Sequence, residues 1–237
     1  MVNEFDSSIV HAIDSLAGKW PEIDRTMEFI VGNDLTQGAL AGCIFWWLWF
    51  RTGSEAIVRR TREHLICTIV GSVVAISAGR ALALSLPFRI RPRFEASLNF
   101  VIPSEPDPNV FMNWSSFPSD HAILFAALAA GFGFVSLRIG ILMFIYFLLV
   151  GAAPLMFLGY HYPTDIIAGS AIGILVGCAI NLAAARQRLS APAFRWQHAS
   201  QGSFYAALFL ATFQIATTFV SLRALALALV HYLKRAL

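Results

Sequence analysis

Three short polar segments stand out in an otherwise apolar chain of 237 residues: RIRP at 89–92, PSDH at 118–121 and HYPTD at 161–165. Histidine and aspartate can transfer protons or attack phosphorus, and arginine binds phosphate oxygens. Each segment lies where a long hydrophobic stretch begins or ends. The three segments therefore contain the candidate functional residues.

The PSDH segment has the features of a helix start. Pro118 interrupts the preceding chain, and Ser119 is a favoured N-cap residue. The unpaired backbone N–H groups that follow, beginning at Asp120, make an anion site together with the positive end of the helix dipole. His121 falls in the first turn, where it can protonate a leaving oxygen.

The HYPTD segment predicts a second helix start. Pro163 is well placed as the first helical residue and keeps Tyr162 extended. His161 then precedes the helix, and Asp165 follows in its first turn. A carboxylate at this spacing can fix the tautomer and orientation of the imidazole, which leaves one ring nitrogen free as a nucleophile.

Arg91 adds a planar, permanently charged group suited to phosphate oxygens. His121, His161 and Asp165 could alternatively hold a metal ion, but the neighbouring arginines would repel a cation and attract an anion. Each segment alone also has a structural interpretation, as a helix cap or an interfacial anchor. Their occurrence on one face of the predicted topology favours a metal-free phosphoryl-transfer site that requires no cofactor.

The composition indicates a membrane protein. Hydrophobic residues make up 57% of the chain and charged residues only 13%, whereas soluble domains carry about 25% charged residues. The mean hydropathy is +0.66. No dense basic stripe is interleaved with aromatic residues, so the sequence gives no support for nucleic-acid binding.

The apolar stretches predict an all-α integral membrane protein with a bundle of six transmembrane helices, because only helices satisfy their own backbone groups in hydrocarbon. The predicted spans are 29–50, 65–86, 121–137, 139–159, 164–185 and 204–222.

Apolar residues at helical spacing before the first span predict an amphipathic N-terminal helix at the membrane interface. We expect one membrane domain, with an interfacial segment at 1–28 and a catalytic helical core at 29–185. A cytoplasmic loop, the last span and a tail then occupy 186–237.

The basic residues predict the orientation. Arginines concentrate in the connections after the first, third and fifth spans, which should therefore face the cytoplasm. The three polar segments then lie on the outer face. Arg89, Arg91 and Arg93 run against the positive-inside trend on that face, which suggests a function for them.

The order RP, PS-x-H and H-x-x-x-D resembles the type 2 phosphatidic acid phosphatase superfamily, whose usual motifs are K-x6-RP, PSGH and SR-x5-H-x3-D. PSDH is similar to the bacterial branch that acts on undecaprenyl diphosphate in the cytoplasmic membrane. The resemblance implies His161 as the nucleophile that forms a phosphohistidine, supported by Asp165. It implies His121 as the general acid, and it implies that Arg91 and the Ser119–Asp120 backbone bind phosphate.

Two cations of the family pattern are absent. By spacing, the lysine of the first motif falls on Leu84, and the serine and arginine of the third fall on Pro154 and Leu155. Charge stabilisation is most of the catalysis in phosphoryl transfer. Arg80, one helical turn before Leu84, is a candidate replacement, and so are Arg89 and Arg93, which flank Arg91; Arg80 could instead pair with an acidic residue.

The expected partner is a lipid phosphate within the membrane, most favourably a polyprenyl diphosphate, and a homo-oligomer stays open. One alternative is transfer of a phospho- or glycosyl group from a lipid-linked sugar phosphate to an acceptor. Another is a degenerate protein that binds or transports a lipid headgroup. Phosphorylation of His161 separates these functions, because hydrolysis requires it and pure binding forbids it.

Overall fold

The computed structural model describes residues 2–101 and 111–218, and within these ranges the chain is helical with no β-strand. The all-α prediction is confirmed for these residues. The α-helices are α1 (Glu4–Asp14), α2 (Pro21–Gly32), α3 (Leu40–Trp49), α4 (Glu55–Ser85), α5 (Asp120–Val135), α6 (Leu137–Tyr146), α7 (Ala153–Phe157), α8 (Pro163–Asn181), α9 (Ala183–Ala199) and α10 (Gln201–Ala216).

The central helix is α5, which packs against α4, α6 and α8. It is apolar on every face, as expected for a helix surrounded by others, and Ala122 to Ala129 are all buried. Gly169, Gly173 and Gly177 of α8 face the α5 backbone, and a Cβ atom added at Gly169 would lie 2.7 Å from the Ser119 carbonyl oxygen. This row of small residues allows the two helix backbones to approach closely.

Among residues 2–101 and 111–218, three helices are long and apolar enough to cross a bilayer: Glu55–Ser85, Leu137–Phe157 and Pro163–Asn181. The second of these runs through α6, a wider π-helical stretch and α7. Asp120–Val135 is a shorter apolar helix. These four helices correspond to the second to fifth predicted spans.

The first and last predicted spans agree only partly with the helix bounds in the structure. The stretch 29–50 is divided, because α2 ends at Gly32 and α3 begins at Leu40, with a π-helical turn at Leu35–Ala39 between them. The stretch 204–222 coincides with α10 as far as Ala216, and residues 219–222 lie outside the described part of the chain. The total of six spans stays a prediction.

Two predicted segments have more structure than expected. The N-terminal segment forms two helices rather than one, because Gly18 adopts a positive φ of 73° and Pro21 begins α2. The expected loop after residue 185 is mostly the helix α9, whose first residues are the strong helix formers AAARQR. The tail at 219–237 lies outside the described residues.

Helix α1 packs on the bundle. Its Val10 is buried with Leu98 and Tyr162, and its Asp6 side chain has no exposed surface. The buried face of the predicted amphipathic helix α1 therefore covers the end of the bundle at which α5 and α8 begin. Whether α1 also touches the membrane interface stays a prediction.

Candidate active site

The first turn of α5 forms one wall of the site. The Ser119 hydroxyl accepts a hydrogen bond from the Ala122 N–H at 3.4 Å, as an N-cap does. Asp120 and His121 follow in the first turn, as the sequence predicts. The Ser119 N–H donates to the Asp165 carbonyl at 3.3 Å, so the starts of α5 and α8 lie side by side.

The first turn of α8 carries the second predicted motif. Pro163 occupies the first helical position and Tyr162 is extended at the N-cap. The Asp165 carboxylate accepts a hydrogen bond from the Tyr162 N–H at 2.8 Å. Asp165 thereby caps the helix and fixes the backbone directly after His161.

The His161 imidazole is buried, with 5% of its surface exposed. Its Nδ1 lies 2.9 Å from the Ser116 carbonyl oxygen, and the Asp165 carboxylate is farther away at 3.6 Å. Because a carbonyl oxygen only accepts hydrogen bonds, Nδ1 carries the proton and Nε2 keeps its lone pair. The sequence gives no signal for the role of Ser116, since a backbone acceptor does not depend on residue type.

The environment favours neutral imidazole. Burial lowers the pKa of His161 below its usual 6.5; the hydrogen bond and charge of Asp165 oppose this, and the charge of Arg91 adds to it. At neutral pH the side chain is therefore uncharged. A neutral imidazole whose Nε2 is unprotonated is chemically suited to nucleophilic attack.

Arg91 is held rigidly beside this histidine. Its guanidinium donates to the Tyr160 carbonyl at 2.7 Å and to the Trp114 carbonyl at 3.2 Å, and it lies 5.1 Å from the centre of the Phe111 ring. Burial lowers the pKa of Arg91 to about 10, which leaves it charged at neutral pH. A fixed cation beside Nε2 can bind an anionic substrate group.

The predicted replacement cation Arg80 also reaches the site. Its Nη2 lies 2.6 Å from the Asp120 carboxylate, and its guanidinium lies 5.3 Å from the centre of the Trp114 ring. Arg80 is therefore in an ion pair, which was the alternative that the sequence left open. An anion bound here would share Arg80 with Asp120.

Arg89, which was predicted to bind phosphate, does not line the cavity. Arg89 bonds Asp6 and Asp165 through its two terminal nitrogens, donates to the Thr164 hydroxyl at 2.9 Å, and lies 4.2 Å from the centre of the Tyr162 ring. Its side chain lies behind His161 and does not line the cavity. Two carboxylates compete for its charge, so Arg89 organises α8 and α1.

A small cavity of about 40 Å³ lies where these side chains meet. Its lining is Arg80, Arg91, Phe111, Trp114, Asp120, His121, Leu155, Tyr160 and His161. Both predicted histidines and two predicted arginines thus share one cavity. Ser119 and Asp165 do not line the cavity, but they cap α5 and α8, the helices whose starts border it.

The two substituted family positions differ in location. Leu155 is 3% exposed and lines the cavity, so an apolar side chain occupies the place that the motif gives to arginine. Leu84 is 88% exposed and does not line the cavity. The cation on α4 that reaches the cavity is Arg80, four residues earlier.

Among the described residues, no group of three His, Cys, Asp or Glu side chains could hold a metal ion.

Comparison with known proteins gives three findings. Residues 64–189 match the family model described as the PAP2 superfamily. Undecaprenyl-diphosphatase BcrC of Bacillus subtilis (strain 168) is 26% identical over 169 residues, which cover 71% of this chain and 79% of that protein. The crystal structure of Aquifex aeolicus LpxE is similar with a TM-score of 0.50 and 20% identity, and the match covers 74% of this chain and 93% of the other. The last similarity concerns the fold.

Proposed function

The chain belongs to the PAP2 superfamily, and we propose that it is a membrane phosphatase that hydrolyses a lipid phosphate or diphosphate through a phosphohistidine at His161. The observation that carries the proposal is the state of His161. Its Nδ1 proton is engaged by the Ser116 carbonyl, and its Nε2 lies 3.5 Å from Arg91 Nη1 in the cavity. This arrangement supplies a nucleophile and a phosphate-binding cation together.

The reaction proceeds in two transfers. Nε2 of His161 attacks phosphorus, the bond from phosphorus to the lipid-side oxygen breaks, and His121 donates a proton to that oxygen. Water then attacks the phosphohistidine, His121 takes a proton from the water, and the bond between phosphorus and nitrogen breaks. The products are inorganic phosphate and the lipid with one phosphoryl group fewer, and both histidines regain their starting states.

Fixed positive charge stabilises the transferred group. Arg91 and the first-turn N–H groups of α5, after Ser119, face the oxygens on which negative charge accumulates. Arg80 adds charge that Asp120 partly neutralises. Because Leu155 removes one cation of the usual motif, Arg91 carries a larger share of this stabilisation here.

The proposed substrate is a polyprenyl diphosphate or a related lipid phosphate. The similarity to a protein named undecaprenyl-diphosphatase supports this class, and the apolar helices around the cavity suit a substrate held within a membrane. The distribution of arginines supports a cavity that opens at the outer face of the cytoplasmic membrane.

A second candidate is favoured by Leu155 and by the pairing of Arg80 with Asp120. The Asp120 carboxylate lies in the cavity, and a carboxylate can take the proton of an attacking hydroxyl group, which suits transfer from the phosphohistidine to a hydroxyl acceptor. A protein that only binds a lipid headgroup would use the same cavity without forming a phosphohistidine.

The test is phosphate release by the detergent-purified protein in EDTA, with undecaprenyl diphosphate, undecaprenyl phosphate and phosphatidic acid as substrates. His161→Ala should abolish release. His198→Ala, at an exposed histidine outside the cavity, should leave it unchanged. The acid-labile phosphoenzyme is measured in parallel with labelled substrate.

The outcomes separate the three functions. Release together with a phosphoenzyme supports hydrolysis, and both should disappear in His161→Ala. A phosphoenzyme without release indicates transfer to an acceptor missing from the assay. If no lipid gives either phosphate release or a phosphoenzyme, the phosphatase proposal is contradicted and headgroup binding remains.

A further inference from the structure

Asp6 is a buried carboxylate outside the part of the chain that matches the family model, which begins at residue 64. Its side chain has no exposed surface. Two donors come from Thr164, whose N–H lies 3.0 Å and whose hydroxyl lies 2.6 Å from Asp6 oxygens. Two more come from the Asn3 amide at 2.8 Å and from Arg89 Nη2 at 2.6 Å.

Asp6 is ionised at neutral pH. Burial raises the pKa of Asp6, but the hydrogen bonds from Thr164, Arg89 and Asn3 lower it more, so the net shift is downward. A buried carboxylate is tolerated only with such complete hydrogen bonding. Asp6 is therefore a fixed negative charge at the N-terminus of α8, where the helix dipole favours it.

Arg89 connects Asp6 to both groups on the Nδ1 side of His161. One terminal nitrogen binds Asp6 and the other binds Asp165, whose second oxygen lies 3.6 Å from His161 Nδ1. The Arg89 carbonyl oxygen accepts a hydrogen bond from the Ser116 N–H at 2.9 Å. Ser116 in turn provides the carbonyl that bonds His161 Nδ1.

We propose that Asp6 is a positioning residue for His161, acting through Arg89 and Thr164 to hold Asp165 and Ser116 against the imidazole. The proposal rests on the proposed function, in which His161 is the nucleophile. It makes helix α1 part of the machinery of the site. The consequence is that loss of the Asp6 charge should slow the chemical step and leave lipid binding nearly unchanged.

The alternative is that Asp6 only attaches α1 to the bundle. Asp14 of the same helix provides a matched control, because its carboxylate accepts a hydrogen bond from the Val101 N–H at 2.9 Å. That contact also attaches α1 to the outer segments. Within the described part of the chain, Asp14 makes no hydrogen bond or ion pair with Arg89, Thr164 or His161, so Asp14→Asn should weaken the attachment alone.

The experiment compares Asp6→Asn, Asp6→Glu and Asp14→Asn in the full-length protein. The temperature is one at which thermal unfolding curves and size exclusion show that each variant is folded. We expect kcat of Asp6→Asn to fall by about tenfold to a hundredfold, because small displacements of a reacting group have costs of this size. KM for the lipid should stay within about twofold, since the cavity lining is untouched. Asp6→Glu should recover part of kcat, and Asp14→Asn should keep all of it.

A readout without turnover separates this proposal from the proposed function. In ¹⁵N-histidine NMR, the His161 signals are assigned by their loss in His161→Gln. Asp6→Asn should shift or broaden the His161 Nδ1 signal, and Asp14→Asn should not. Wild-type kcat and an unchanged Nδ1 signal in folded Asp6→Asn would overturn the proposal. A shifted signal in a protein without phosphatase activity would keep the positioning network and reject the proposed function.

If Asp6→Asn does not fold, Asp6→Glu decides the matter, because it keeps the charge but moves the carboxylate by one methylene. A folded Asp6→Glu with lowered kcat and a shifted Nδ1 signal supports positioning. A folded Asp6→Glu with wild-type values in both measurements contradicts it.

Discussion

Arg91 Nη1 lies 3.5 Å from Nε2 of His161, so the buried cation and the unprotonated ring nitrogen face each other in the same small cavity. The arginine stands two residues beyond Arg89, which holds the opposite side of the imidazole through Asp165. The segment RIRP thus contacts His161 on both sides, through Arg91 at Nε2 and through Arg89 and Asp165 at Nδ1. This arrangement makes the planar shape of Arg91 as important as its charge.

Arg91→Lys should lower kcat/KM by about a hundredfold, a loss typical of removing one contact that stabilises transition-state charge. Lysine keeps the charge, but it cannot donate to the Tyr160 and Trp114 carbonyls in the fixed geometry of a guanidinium. Steady-state kinetics on the best lipid substrate measure the loss. Arg25→Lys, at an exposed arginine of α2, is the control. Equal kcat/KM in both variants would contradict the role of Arg91.

The rate should depend on pH through His161. Since the pKa of His161 is lowered in the folded protein, the imidazole stays neutral below pH 6.5, and the acidic limb of kcat/KM should have its midpoint below that value. The unfolded state, with the usual pKa, binds the proton first, so stability should decrease as pH falls through 6.5. Rate profiles and thermal unfolding measure both effects. The control His198→Ala should keep the wild-type rate profile, and an acidic midpoint above 6.5 would contradict the assignment.

The cation that α4 contributes to the site should be Arg80 and not position 84. Arg80→Ala should lower kcat/KM by about a hundredfold, because it removes a charge from the cavity. Leu84→Ala and Leu84→Lys should change it by less than about twofold, since an 88% exposed side chain that lines no part of the cavity makes no transition-state contact. Kinetics on the three purified variants test this, and a gain of activity in Leu84→Lys would contradict it.

Much of the site was predictable because helix starts have strong local rules. Pro118 with Ser119, and Pro163 with Asp165, fix the starts of α5 and α8 through capping chemistry that involves only neighbouring residues. The sequence therefore predicted that His121 and His161 stand at such starts. The structure brings both into one cavity.

The remaining parts depended on contacts between distant segments. Asp6 lies 158 residues from its partner Thr164, and no local pattern links them. Motif spacing places the family lysine at Leu84, and the sequence offered Arg80, one helical turn earlier, as a replacement; the side-chain directions on α4 bring Arg80 to the cavity. Arg89 was expected to bind phosphate, since its type suits that role, but two buried carboxylates hold it elsewhere.

The close packing of α5 and α8 should be sensitive to a single methyl group at Gly173. A Cβ atom there would overlap the Ile123 carbonyl oxygen and lie 2.9 Å from the Ala126 Cβ. Backbone atoms cannot move aside easily, so Gly173→Ala should lower the free energy of unfolding by about 1–3 kcal/mol. Gly133→Ala on α5 is the control, because nothing lies within 4 Å of its Cβ. It should be neutral or stabilise the helix by up to about 1 kcal/mol. Thermal unfolding in detergent measures both variants, and equal stability of the two would show that the α5–α8 interface is looser than the structure indicates.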